Sequence, residues 1–85
     1  MIINEHTDWL EIDLGAYKKN IQKMKEITGR PVMPVIKANA YGHGLAEVAR
    51  AAFQGGAAIC GVARTEEAFR IRRKGIRGKI LVLGG

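Results

Sequence analysis

The chain has 85 residues, 47% of them apolar and 26% charged, and 14 Lys and Arg against 8 Asp and Glu give it a formal charge of +6. That length holds at most one small domain, and the balance is that of a globular chain, not a disordered one. The longest apolar runs, at 57–60 and 80–83, fall far short of the roughly 20 residues that a membrane helix needs, so no membrane partner is expected.

The opening Met1-Ile2-Ile3-Asn4-Glu5-His6 has no basic start leading into an apolar core and does not read as a secretory signal. Residues 8–12 alternate loosely around Trp9, Leu10 and Ile12, which predicts a short strand. Asp13 suits a helix N-cap. Leu14, Tyr17, Ile21, Met24 and Ile27 follow at spacings of three and four, which predicts a helix over 14–28 with those five side chains on one buried face. Gly29 and Pro31 stand where such a helix ends.

Val32-Met33-Pro34-Val35-Ile36 predicts a strand buried on both faces, with Pro34 unable to donate to a ladder. A second helix is expected over 45–54, with Leu45, Val48, Ala49, Ala52 and Phe53 on one face and Gly55-Gly56 closing it. Residues 58–63 form the next expected strand. Thr65 is the expected cap of a third helix, whose acidic first turn (Glu66, Glu67) and basic last turn suit the helix dipole. Gly75 stops it, and 79–83 predicts a third buried strand. Strand starts 26 and 21 residues apart leave room for helical crossovers between parallel neighbours. Two classes are built this way, the doubly wound open sheet and the (β/α)8 barrel. The ending Leu83-Gly84-Gly85, directly after an apolar run, reads as a chain cut after a strand.

The positive charge falls in two clusters, Lys18, Lys19, Lys23 and Lys25 on one helix and Arg70, Arg72, Arg73 and Lys74 on another. Each lies beside an apolar stripe, the pattern of a solvated helix face, so no nucleic-acid partner is expected. The single cysteine, Cys60, excludes an internal disulfide and a multi-cysteine zinc site, and inside a strand it reads as a small buried apolar residue. No His/Cys/Asp/Glu set has metal-ligand spacing, so no metal is expected. A cytoplasmic setting follows from the missing export signal.

The densest chemistry lies in Val35-Ile36-Lys37-Ala38-Asn39-Ala40-Tyr41-Gly42-His43-Gly44. A lysine ends an apolar strand, and a glycine-bearing loop leads into a helix. Carboxyl ends of parallel strands form the active face of α/β folds. A lysine partly withdrawn from water there has a lowered pKa, and its neutral amine can form a Schiff base with an aldehyde. The alternative is a lysine that merely snorkels off a strand end. Tyr41 brings a hydroxyl into the same loop, and the start of the following helix suits a phosphate. The glycines match neither a Rossmann fingerprint nor a P-loop. His43 reads as a polar loop residue, His6 as part of a frayed terminus, and Glu66-Glu67 as helix-start carboxylates.

Residues 35–44 resemble, almost letter for letter, the cofactor-lysine motif of the alanine racemases, which depend on pyridoxal 5'-phosphate. Trp9-Leu10-Glu11-Ile12-Asp13-Leu14 with Ala16, Tyr17, Asn20 and Ile21 is similar to that family's opening, and Gly61-Val62-Ala63 with Glu66-Glu67-Ala68, then Ile80-Leu81-Val82-Leu83-Gly84, to its next strands. The resemblance spans residues 1–85 and implies the N-terminal part of a (β/α)8 TIM-type barrel, with a C-terminal β domain absent. It implies Lys37 as the catalytic lysine, holding the cofactor as an internal aldimine, Tyr41 on its phosphate, and Leu83 packed near it. It further implies an amino-acid substrate, L- and D-alanine interconversion for cell-wall synthesis, and a homodimer for the full-length enzyme, with a tyrosine from the partner as second base. Pro34 departs from the small residue the family commonly has there. Two other functions stay open: a cofactor-binding module without turnover, and a racemase of another amino acid such as serine.

Overall fold

A computed structural model describes residues 2–4, 13–37 and 44–84 of the chain. Among these residues four strands, β1 (Ile2–Asn4), β2 (Met33–Val35), β3 (Ile59–Val62) and β4 (Lys79–Val82), alternate with three helices, α1 (Leu14–Thr28), α2 (Leu45–Gln54) and α3 (Thr65–Arg73). The strands form one parallel sheet in the order β1-β2-β3-β4, with Asn4 opposite Val35, Val35 opposite Gly61 and Gly61 opposite Leu81.

The local chemistry accounts for the helix ends. Asp13 caps α1, its Oδ1 accepting from the Gly15 and Ala16 N–H groups at 3.0 and 3.2 Å. Gly29 closes it in the left-handed region at φ 63°, its N–H donating to Lys25 O. The cap of α3 is Arg64, and Thr65 is the first helical residue. Glu67 reaches back from inside the first turn to the two residues before the helix. Its Oε1 accepts from both the Ala63 and Arg64 N–H groups at 3.0 Å.

Strand order decides between the two fold classes. It advances one neighbour at a time without reversing, and parallel crossovers share one hand, so all three helices lie on the same face. A doubly wound sheet would reverse and place helices on both. The observed arrangement is the opening of a barrel. The core fills the space between that face and the helices: Val32, Ile36, Cys60 and Val62 from the sheet meet Tyr17, Ile21, Val48, Ala52 and Ile71. Burial of Cys60 pushes its thiol pKa up to about 12, which keeps it neutral and inert.

Three further details differ from the sequence expectations. β1 was not anticipated, and the strand expected at 8–12 lies outside the described residues. Ile27 is 75% exposed. Two successive three-residue steps from Ile21 carry it about 120° around the helix, off the core-facing stripe. Neither β2 nor β4 is buried on both faces: Met33 and Val35 are half-buried, Leu81 in β4 is 45% exposed, and Leu83 just past it is 50% exposed. The expected cost of Pro34 is visible as a skipped rung. The bonds on either side, Ala58 N–H to Val32 O and Ile36 N–H to Gly61 O, are intact at 2.9 and 2.8 Å, and Pro34 has no N–H to place between them. Among the described residues no helix is long and apolar enough to cross a membrane.

Candidate active site

Alternation along β2 separates two roles. Val32, Pro34 and Ile36 are buried under the helices, whereas Met33 and Val35 are half-buried and Lys37 is exposed on the opposite face. That second face becomes the interior when such a sheet curls into a barrel. Counting two residues on from the Val35–Gly61–Leu81 row places Lys37, Ala63 and Leu83 in one row at the carboxyl ends of three adjacent strands. Lys37 thus follows the carboxyl end of β2, and Leu83 follows that of β4, two strands away.

The row rests on an apolar shelf. A Cβ at Gly61 would meet Leu83 Cδ1 at 3.1 Å and Val35 Cγ2 at 3.5 Å, so the hydrogen side chain of Gly61 leaves the space that Leu83 leans into. The Leu83 N–H is fixed to Val62 O at 2.7 Å and the Gly84 N–H to Ala63 O at 2.9 Å. Lys37 itself is exposed. The withdrawal from water expected there is not provided by the described residues.

The phosphate setting expected at the start of α2 is also altered. The Gly44 N–H donates to Glu47 Oε1 at 3.0 Å, so a carboxylate lies beside the helix start, and like charges repel there. Nothing in the sequence pattern separated Glu47 from an ordinary first-turn acid, although its position three residues after Gly44 is the capping-box spacing. Tyr41, Gly42 and His43 lie outside the described residues, as does His6. Glu66 and Glu67 are helix-start carboxylates as expected. Glu66 pairs with Arg64 at 3.6 Å in solvent, while Glu67 is only 8% exposed. The basic cluster on α3 is partly spent within the fold, where the Arg72 guanidinium donates to the carbonyls of Ile76 and Gly78. Among the described residues no group of three or more His, Cys, Asp or Glu is placed to hold a metal.

The family model described as alanine racemase, N-terminal domain, matches residues 12–85. The chain belongs to this family. The alanine racemase 1 of Bacillus subtilis is 53% identical to it over 78 residues, which are 89% of this chain and 20% of that protein. The alanine racemase of Methanococcus maripaludis is 48% identical over 81 residues, 93% of this chain and 22% of that protein. Among solved structures, the alanine racemase of Bacillus anthracis with bound L-Ala-P superposes with a TM-score of 0.77 and 40% identity, over 95% of this chain and 22% of that one. This member of the alanine racemase family thus spans about a fifth of the length of the relatives it matches.

Proposed function

We propose that the chain forms the cofactor-lysine segment of a pyridoxal 5'-phosphate-dependent alanine racemase, acting in the cytoplasm on L- and D-alanine for cell-wall synthesis. The observation that carries this reading is the place of Lys37: at the carboxyl end of β2, on the helix-free face, level with Leu83. Family membership supports it.

The residues present fit such a cofactor. Lys37 Nζ is an amine that condenses with an aldehyde, forming a C=N bond and releasing water. The Gly61–Leu83–Val35 shelf is apolar, which suits the face of an aromatic ring. Tyr41 is assigned the phosphate, a role the Glu47-capped helix start is poorly suited to share. When bound, the cofactor supplies a conjugated electron sink that lets an amino acid lose its α-proton. Lys37 Nζ then takes or returns that proton on one face, the D-alanine face in this family. Racemisation needs a second base opposite. Ala63 and Leu83, the other members of the row, carry none; the resemblance to the family assigns that base to a tyrosine of the second subunit in a homodimer.

Exposure of Lys37 favours a second reading, in which this chain binds the cofactor without turnover. One experiment addresses both. The chain is incubated with pyridoxal 5'-phosphate, reduced with borohydride, digested and mapped, and alanine racemisation is assayed in parallel. Adduct concentrated at Lys37 over the other six lysines is the expected result. Equal labelling of all seven would overturn both readings; because the second base lies outside these residues, racemisation is assayed with the remainder of the family's fold supplied, where specific labelling without racemisation selects the second.

A further inference from the structure

The end of β3 breaks the regular ladder. In a parallel sheet successive residues of a strand direct their peptide groups to opposite neighbours. At Val62 and Ala63, however, two consecutive carbonyls both accept from the β4 side, from the Leu83 and Gly84 N–H groups at 2.7 and 2.9 Å. The chain bends at Ala63 and Arg64 to allow this. The bend leaves the Ala63 and Arg64 N–H groups without strand partners, and both are taken by one atom, Glu67 Oε1, at 3.0 Å each. Glu67 is the one charged side chain buried among the described residues. Gly84 completes the arrangement. A Cβ there would lie 2.5 Å from Ala63 O, an approach that only glycine permits.

We propose that Glu67 is a positioning residue for the mouth of the sheet. By holding the two amides of the bend it turns Ala63 O toward Gly84 and so sets Leu83 over Gly61, in the row of Lys37. The link from Leu83 to a cofactor rests on the function proposed above, whereas the link from Glu67 to Leu83 does not.

The test uses the chain itself with Glu67→Ala, Glu67→Gln and, as a control, Glu66→Gln. The first readout is NMR, following the contact between the Leu83 methyls and the Gly61 α-protons and amide exchange at Leu83 and Gly84. In Glu67→Ala that contact is lost and the two amides exchange about tenfold faster, while core amides such as that of Ile21 keep their protection. A glutamine Oε1 has two lone pairs and keeps both bonds, so Glu67→Gln retains the parental pattern, as does Glu66→Gln. The second readout is pyridoxal 5'-phosphate labelling at Lys37, expected to weaken several-fold in Glu67→Ala and to recover in Glu67→Gln. Survival of the Leu83–Gly61 contact in Glu67→Ala overturns the proposal. So does a uniform loss of protection shared equally by Glu67→Gln, which would make Glu67 a general stabiliser. Absence of labelling at Lys37 in the parent counts against the cofactor reading alone, because the NMR readout stands without it.

Discussion

Gly55, just past the end of α2, provides a sharp test of how closely the helices pack. Its backbone angles, φ −77° and ψ −8°, are open to any residue. On backbone grounds alone, Gly55→Ala would stabilise by about 0.4–1 kcal/mol, because it restricts the unfolded chain. The structure points the other way. A Cβ at Gly55 would lie 2.7 Å from Lys18 O and 3.1 Å from both Lys18 Cα and Ile21 Cβ. Two of these atoms are backbone of α1 and cannot rotate aside, so α1 must lift from α2. Overpacking of this kind costs about 1–3 kcal/mol, which outweighs the entropic gain and leaves a net loss of about 0.5–2 kcal/mol. Urea unfolding followed by circular dichroism, with a slope of about 1 kcal/mol/M for a small domain, reads that as a midpoint lowered by about 0.5–2 M. Gly75→Ala is the companion measurement. Gly75 has φ 78° and nothing within 4 Å, so its cost of about 1–2 kcal/mol comes from the left-handed backbone alone. A Gly55→Ala midpoint equal to or above the parent's would refute the close approach of α1 to α2.

Two further outcomes follow from single side chains. Asp13→Ala removes the acceptor for the Gly15 and Ala16 N–H groups and is expected to cost about 1 kcal/mol in the same urea titration, with Asp13→Asn close to the parent. Cys60 holds its proton to about pH 12 when folded, against 9.0 in the reference state. The unfolded chain therefore releases that proton first, and stability falls as pH rises from about 9 toward 12. Urea midpoints measured across that range should show a decline that Cys60→Ala lessens, and a thiol reagent at pH 8 should modify Cys60 only on unfolding.

The first two helices were legible to the residue because apolar spacing and end signals agree, Asp13 and Gly29 bracketing α1 and Gly55 following α2, whereas α3 starts at Thr65, the residue expected to cap it. The strands were legible in position but not in exposure. A run such as Ile80–Leu83 looks the same whether one face or two are covered, and only the common side of the helices uncovers Leu81 and Leu83. β1 was missed because Ile2, Ile3 and Asn4 show no period, and their pairing with Met33, Pro34 and Val35 is a long-range fact. In the site, the motif around Lys37 announced its place at a strand end. Burial could not be read the same way, because the surroundings of a side chain depend on segments far away in sequence. Glu67 was read only as a dipole-matched acid, since the bend whose amides it holds has no signature of its own.

Each strand in the sheet leans on the one synthesised just before it, β2 on β1, β3 on β2 and β4 on β3. From β2 onward each strand therefore finds its pairing edge in chain already synthesised. Structure then accumulates in the order of translation, from amino end to carboxyl end, with each completed edge serving as the template for the next addition.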